Sequence, residues 1–178
     1  MLIPLSPIAQ REQEELAIRY IQLGARLPSF QALFPQLKKR WLQKQFSAHR
    51  GRNSPSGQLP TDDKPLFLPQ RRLHSTLFAL YTRGQPDSWP AAKRILFGYL
   101  HYMHVVCPSD PSLAMLDIDR AIHFAKSCVL YRHNPPTIIA CRKCGTPGLV
   151  PKREFQNRYQ CVNCSKRLLA GRNKHVAE

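Results

Sequence analysis

The chain has 178 residues, of which 43% are hydrophobic and 21% are charged, a composition that excludes a disordered chain and fits one core with a small additional unit. Its formal net charge is +16, from 27 Lys and Arg against 11 Asp and Glu, which indicates a polyanionic partner and disfavours a metal-dependent nuclease. No run reaches the roughly 18 apolar residues of a membrane-spanning helix, and the N-terminus lacks a basic leader, so we expect a soluble cytoplasmic protein without a membrane partner.

The positive charge is concentrated in two blocks of the sequence. Residues 26–72 contain ten basic against two acidic residues, and residues 141–178 contain nine against two. The stretches before and between these blocks are close to neutral. A generally solubilising surface usually mixes both signs, so two blocks of one sign favour a nucleic acid as the partner.

A first helix is predicted to begin near Ser6-Pro7, a cap residue followed by a proline that suits the first turn. Its buried stripe is formed by Leu16, Tyr20 and Leu23, spaced at i, i+4 and i+7. The helix should end at Gly24, where a turn-forming stretch begins.

A short helix and a basic helix are predicted next. Ser29 is placed to cap the short helix, which should end at Phe34. The basic helix runs from Gln36 to about His49. Its predicted core residues are Leu37, Trp41 and Phe46, and its exposed basic residues are Lys38, Lys39, Arg40 and Lys44. This is the outline of a helix-turn-helix, although many helical hairpins share the outline without binding nucleic acid.

Residues 50–60 are rich in turn formers and contain Arg50 and Arg52, so an exposed loop is predicted. The loop either follows phosphates or the minor groove, or is a plain connector.

Three further helices are predicted over residues 70–83, 88–105 and 110 to about 131, with Asp110-Pro111 as the cap and first residue of the last. Their core positions are Leu73, Leu77, Leu80, Ile95, Tyr99, Leu113, Ile122, Ala125 and Val129. This region is interpreted as scaffold and partner surface.

The strongest motif consists of two CxxC pairs, Cys141 with Cys144 and Cys161 with Cys164, separated by sixteen residues. Each pair can form a tight knuckle that directs two sulfurs at one ion, and this spacing is typical of a zinc ribbon. The residues from Leu149 to Tyr159 can form a short hairpin between the knuckles. Four thiolates leave no open coordination position, so one structural Zn²⁺ is predicted.

A redox CxxC pair is the competing interpretation, but it would be expected as one reactive pair near a βαβ unit. Cys107 and Cys128 stand among apolar neighbours and are predicted to be buried thiols, and His101 and His104 are predicted to be packing or surface residues. We find no nucleophile elbow, phosphate loop or paired acidic motif, so the chain is not expected to be an enzyme.

These elements predict a mainly α fold with two domains. Residues 1–136 form a helical domain for DNA and partner binding that includes the helix-turn-helix-like segment, and residues 137–178 form a basic four-cysteine zinc ribbon.

The sequence resembles the FlhC family of bacterial transcription activators almost from end to end. The resemblance is carried by residues 20–27, the loop of residues 50–60, residues 73–78, Cys107-Pro108 and the two CxxC pairs. It implies a mostly helical subunit with Cys141, Cys144, Cys161 and Cys164 as zinc ligands. It also implies binding to double-stranded promoter DNA together with a smaller, helical FlhD-like protein, and recruitment of RNA polymerase. The target operons are either flagellar or conjugative-transfer operons.

The leading hypothesis is therefore a DNA-binding activator subunit. Its candidate DNA contacts are Lys38, Lys39, Arg40, Lys44, Arg50, Arg52, Arg142, Lys143, Lys152, Arg153, Arg158, Lys166 and Arg167. Lys38, Arg40 and Lys44 are the candidates for base contacts. A zinc-ribbon RNA-binding or ribosome-associated protein is the alternative, with Phe155 and Tyr159 as stacking residues. In a third possibility, the chain mainly assembles a complex whose partner contacts the DNA.

Overall fold

The computed structural model describes residues 6–62, 64–106, 116–130, 136–150, 159–161 and 163–164. Within these ranges the fold is mainly helical, with six α-helices and one two-stranded sheet, as predicted. The elements are α1 (Pro7–Gln22), α2 (Leu27–Phe30), α3 (Lys39–Arg50), α4 (Pro69–Arg83), α5 (Ala91–Val106), α6 (Ile118–Phe124), β1 (Thr137–Ala140) and β2 (Pro147–Val150). A 3-10 turn (Gln31–Leu33) follows α2, another (Lys64–Phe67) precedes α4, and a π-helical segment (Ala125–Leu130) continues α6.

Helix α1 begins where the sequence predicts it. The Ser6 hydroxyl accepts a hydrogen bond from the Ala9 N–H at 3.2 Å, and Pro7 stands in the first turn. Tyr20 is fully buried, whereas Leu16 and Leu23 are half-buried against the same core. The predicted stripe of α1 is confirmed.

The predicted cap of α2 is wrong. The helix begins at Leu27, and Ser29 lies inside it, buried, with Arg26 at the N-cap position. The Arg26 N–H donates to Asp119 Oδ1 at 2.9 Å, and the Leu27 N–H donates to Ser54 Oγ at 3.0 Å. Side chains from distant parts of the chain therefore satisfy the free N–H groups of the first turn.

Helix α3 begins at Lys39, three residues later than predicted, and ends before Gly51, whose φ of 66° is left-handed. Leu37 and Phe46 are buried as predicted, and Trp41 is half-buried. The fully buried Leu42 was missed. Helix α3 packs against α1 and α2.

An aromatic cluster joins this N-terminal segment to the rest of the core. The ring of Tyr20 stacks on Phe30 with centroids 5.5 Å apart, and Phe34 meets both rings edge-on. The buried Tyr20 hydroxyl donates to the Ala92 carbonyl of α5 at 2.8 Å. One continuous core thus includes α1, α2 and α5.

Helices α4 and α5 form the most extensively packed helix pair of the described chain. Some of the core positions predicted for these helices and for the α6 segment are confirmed, and others are wrong. Leu77, Ile95, Tyr99, Ile122 and Ala125 are buried or half-buried. The prediction is wrong for Leu73 and Leu80, which are 51% and 39% exposed. Leu113 and the side chain of Val129 lie outside the described residues.

Helix α6 begins at Ile118, because the Asp117 carboxylate caps it by accepting the Arg120 N–H at 2.9 Å. Residues 116 and 117 are not helical, so a single helix from residue 110 to residue 131 is wrong. The predicted cap, Asp110-Pro111, lies outside the described residues.

Strands β1 and β2 pair antiparallel, with Thr137 opposite Val150 and Ala140 opposite Pro147. Leu149 is fully buried and belongs to the helical core. Its N–H donates to Thr76 Oγ1 of α4 at 2.8 Å, so the sheet is attached to α4. None of the helices in the described part of the chain combines the length and apolar character needed to cross a bilayer.

Candidate functional site

The first cysteine pair forms a knuckle between the two strands. Cys141 directly follows β1, and its N–H donates to the Thr146 carbonyl at 2.9 Å. The Gly145 N–H donates back to the Cys141 carbonyl at 2.9 Å, with Gly145 at a left-handed φ of 71°. Cys144 lies in the resulting tight turn. The described hairpin is thus formed by residues 137–150 around this knuckle, and most of the hairpin predicted over residues 149–159 lies outside the described residues.

The second pair completes a compact cluster of sulfurs. Cys161 and Cys164 bring their sulfurs beside the first knuckle, so that all four Sγ atoms lie within 4.8 Å of one another. The Cys144 and Cys161 sulfurs are 3.5 Å apart. A tetrahedral site with metal–sulfur bonds of about 2.3 Å has sulfur–sulfur edges of about 3.8 Å. The donor set and its dimensions therefore fit one metal ion.

Hydrogen bonds lower the pKa of both thiols of the first knuckle and raise the pKa of Cys164. The Cys161 N–H, 3.3 Å from Cys141 Sγ, is the main cause that lowers the pKa of Cys141 to about 6. The hydrogen bond to Thr146 is the main cause that lowers the pKa of Cys144. Hydrogen bonds to Cys144 and then Cys161 raise the pKa of Cys164 to about 12. Thiolates, the form that ligates a metal, are thus favoured on the first knuckle.

Tyr159, Gly148 and Arg72 hold the cluster on α4. The Tyr159 ring is buried against Gly148, where a Cβ atom would collide with it. The Tyr159 carbonyl accepts the Arg142 N–H at 3.3 Å, which ties the two knuckles together. The guanidinium of Arg72 lies 5.7 Å from the centroid of the Tyr159 ring. Tyr159 therefore packs inside the site, and the predicted stacking partner Phe155 lies outside the described residues.

The four cysteines are the only group of three or more potential metal ligands among the described residues. His101 and His104 are exposed on α5, and the His101 ring meets Tyr81 edge-on at 5.8 Å. Both histidines are thus surface residues, as predicted. Cys107 and the side chain of Cys128 lie outside the described residues.

A second feature is the basic surface of α3 and the loop after it. Its six basic residues are all exposed: Lys38, Lys39, Arg40, Lys44, Arg50 and Arg52. Within the described ranges, none of the six takes part in an ion pair. Arg40 and Lys44 are one turn apart on the same face of α3. We call this set the α3 basic surface.

The four-cysteine cluster has basic residues of its own. Arg142 and Lys143 are exposed between the cysteines of the first knuckle. The other candidate DNA contacts of the C-terminal block are Lys152, Arg153, Arg158, Lys166 and Arg167, and these lie outside the described residues.

The sequence matches a known protein family over almost its whole length. Residues 5–177 match the family described as "Flagellar transcriptional activator (FlhC)". The Flagellar transcriptional regulator FlhC of Paraburkholderia atlantica is 27% identical over 177 residues, which cover 97% of this chain and 79% of the relative. The relative of the same name from Nitrosomonas eutropha is 25% identical over 183 residues, with 97% and 88% coverage. That of Serratia marcescens is 25% identical over 169 residues, with 92% and 84% coverage.

The chain thus falls in a class of transcriptional regulators. The chain belongs to the FlhC family of flagellar transcriptional activators, which confirms the resemblance seen in the sequence.

Proposed function

We propose that this chain is the DNA-binding subunit of a transcriptional activator complex that acts with a FlhD-like helical partner. The complex binds promoter DNA of flagellar or conjugative-transfer operons and helps to recruit RNA polymerase. Membership of a family of transcriptional activators supports the regulatory part of the proposal. The chemistry of α3 supports the DNA-binding part.

The observation that carries the proposal is the placement of cations at the N-terminus of α3. Lys38, Lys39 and Arg40 stand at the cap and in the first turn, all exposed, and no side chain caps the helix. The helix dipole disfavours cations at this end, and the first N–H groups have no intrahelical acceptor. A phosphate bound here would satisfy both the N–H groups and the cations.

The rest of α3 suits a helix that lies in a groove of DNA. Leu42 and Phe46 fix one face of α3 in the core. Arg40 and Lys44 remain exposed one turn apart, at a spacing that can reach neighbouring base edges or phosphates. Arg50 and Arg52 extend the basic surface beyond the end of α3, where they suit phosphate contacts.

The metal cluster would serve as a second, structural contact. In the proposed complex Cys141, Cys144, Cys161 and Cys164 ligate one Zn²⁺, because four sulfur donors suit zinc and leave no position for a substrate. The ion closes the two knuckles and so keeps Arg142 and Lys143 in place for phosphate contacts. The basic residues outside the described ranges belong to the same proposed surface.

The test compares two charge-matched variants in the full complex with the FlhD-like protein. Lys39→Gln/Arg40→Gln removes two charges from the α3 basic surface, and Arg11→Gln/Arg19→Gln removes two exposed charges from α1. Footprinting on flagellar and transfer promoters first defines a duplex. Fluorescence anisotropy then measures the affinity for that duplex at several salt concentrations.

We expect the α3 variant to bind DNA at least about tenfold more weakly, because each lost charged contact contributes roughly 1 kcal/mol to binding. The slope of log K against log salt should flatten by about 0.9 for each lost phosphate contact. The α1 variant should behave as wild type. Equal affinities of the two variants would contradict the role of α3, and stronger competition by structured RNA than by duplex DNA would favour the RNA-binding alternative.

A further inference from the structure

We infer that the outer face of α4 is a groove that binds an amphipathic helix with acidic flanks, supplied by the partner protein. The inference rests on the proposed function for the existence of that partner. It adds the surface on this chain and the chemistry of the helix that fits there.

An apolar stripe follows the outer face of α4. Leu73, Leu77 and Leu80 are spaced at i, i+4 and i+7, while the opposite face buries residues such as Phe78 and Ala79 in the core. Leu73 is 51% exposed and Leu80 is 39% exposed, and Leu77 is half-buried between them. Single exposed apolar residues are common, but a stripe with helical spacing is typical of a surface that binds another helix.

The stripe lies between two flanking elements. On one side, Thr76 and Arg83 attach the sheet: Thr76 accepts the Leu149 N–H, and Arg83 donates to the Pro136 carbonyl at 2.9 Å. On the other side, His74 contacts Tyr102 of α5. On the surface of α4, residue 74 lies on one side of the line through residues 73, 77 and 80, and residues 76 and 83 lie on the other side. The sheet and α5 therefore border the stripe. The stripe is therefore flanked on both sides, and we call this flanked surface of α4 the groove.

Helix α5, beside the stripe, also exposes apolar surface. Val105 is 53% exposed near the C-terminal end of α5, and the half-buried Tyr81 of α4 contacts the ring of His101. The groove thus offers the apolar anchor positions that helix-in-groove recognition uses.

The charge of α4 and α5 indicates which kind of helix binds in the groove. Helices α4 and α5 contain no Asp or Glu, whereas they contain five Lys and Arg residues. This composition favours an acidic helix. The chain's own residues 165–178 contain four basic residues and one acidic residue, and a second copy also has a net charge of +16. Both of these occupants would be repelled, which leaves an acidic partner helix.

The experiment measures binding of the full chain to the FlhD-like protein of the same genome by isothermal titration calorimetry. Leu73→Gln/Leu80→Gln alters the stripe. Ile8→Gln/Leu100→Gln is the matched control, because Ile8 and Leu100 are 75% and 38% exposed on other faces. Metal content and unfolding temperature are measured on every variant to verify that it is folded.

We expect the stripe variant to bind at least about tenfold more weakly, since two apolar anchors are worth about 1 kcal/mol or more each. The control should bind as wild type, and wild-type binding should weaken with added salt. If both variants bind as wild type, the groove of α4 is not the binding surface, although the FlhD-like protein is still a partner. Salt-independent binding overturns the acidic helix, and a wild-type chain that binds no FlhD-like protein overturns the partner itself.

Discussion

Arg26 and Asp119, 93 residues apart in the sequence, form a two-point contact through the backbone and the side chain of the arginine. The Arg26 N–H donates to Asp119 Oδ1 at 2.9 Å, and Arg26 Nε lies 2.6 Å from Asp119 Oδ2. The same guanidinium donates to the Gln58 carbonyl at 3.2 Å. The Arg26–Asp119 pair therefore joins the start of α2, helix α6 and the loop after α3.

Replacing this carboxylate by an amide should destabilise the fold. The Asp119 and Arg26 side chains are only 12% and 21% exposed, so Asp119→Asn leaves a poorly solvated guanidinium without its partner. We expect the free energy of unfolding to fall by about 2 kcal/mol, measured by urea denaturation. In the control Asp87→Asn, the Arg94 side chain is also only 17% exposed, but the carboxylate itself is 93% exposed, so water screens the pair and the expected loss is below about 1 kcal/mol. Equal losses in the two variants would contradict the structural role of Asp119.

The contact between α4 and α5 makes a second prediction, at Gly98. A Gly to Ala change inside a helix normally stabilises a protein by about 1 kcal/mol. Here the added Cβ would collide with Thr82 Oγ1 and would lie 2.8 Å from Thr82 Cα. We therefore expect Gly98→Ala to lower the free energy of unfolding by about 1–3 kcal/mol.

The clash can be divided into side-chain and backbone parts by a double variant. Thr82→Ala removes the hydroxyl but leaves Thr82 Cα and N within 3 Å of the new Cβ. Gly98→Ala/Thr82→Ala should thus recover only part of the loss relative to Thr82→Ala alone. Full recovery, or a more stable Gly98→Ala protein, would show that the helices separate easily.

The sequence predicts those parts of the fold that depend on local contacts. Ser6 and Pro7 define the start of α1 through hydrogen bonds and φ angles within one turn, so the pattern was sufficient. The start of α2 depends on Asp119 and Ser54, which no local pattern connects to Leu27. Helical periodicity also identified the apolar stripe of α4, but it cannot tell a core face from an exposed groove, and so Leu73 and Leu80 were misplaced.

The candidate site also has features that the sequence predicts and features that depend on tertiary folding. Ligand identity and spacing are local, so the clustering of Cys141, Cys144, Cys161 and Cys164 followed from the sequence. The packing of Tyr159 on Gly148 and the hydrogen bond from Leu149 to Thr76 depend on tertiary folding. No sequence pattern marks Thr76, because a threonine inside a helix usually has no such role.

The pKa of His74 should give stability a specific pH dependence. Burial lowers the pKa of His74 from its usual value of 6.5, and Nδ1 lies 2.9 Å from the Tyr102 hydroxyl. Below pH 6.5 the unfolded chain binds more protons at this residue than the folded one, so the free energy of unfolding falls as the pH falls. His74→Gln, which cannot be protonated, should show a weaker decrease over the same range. Parallel pH profiles of unfolding for the two proteins would disprove this assignment.

The last prediction is that the four-cysteine cluster needs a metal ion to fold, because its small sheet has few apolar residues besides those facing α4. Its local core contains Val150 and Tyr159 with two of the cysteines, too little to fold residues 137–164 without further stabilisation. Metal binding at such four-cysteine sites contributes on the order of 10 kcal/mol to folding. Cys144→Ser should therefore reduce the zinc content from one equivalent per chain toward none, measured by elemental analysis.

The same variant should lose amide hydrogen-exchange protection in β1 and β2, while α1 keeps its protection because Tyr20 and Ile21 are buried in the helical core. Cys107→Ser, which changes a cysteine outside both CxxC pairs, is the matched control and should keep both the zinc and the protection. A Cys144→Ser protein with stoichiometric zinc and unchanged exchange in β2 would rule out the four-cysteine site.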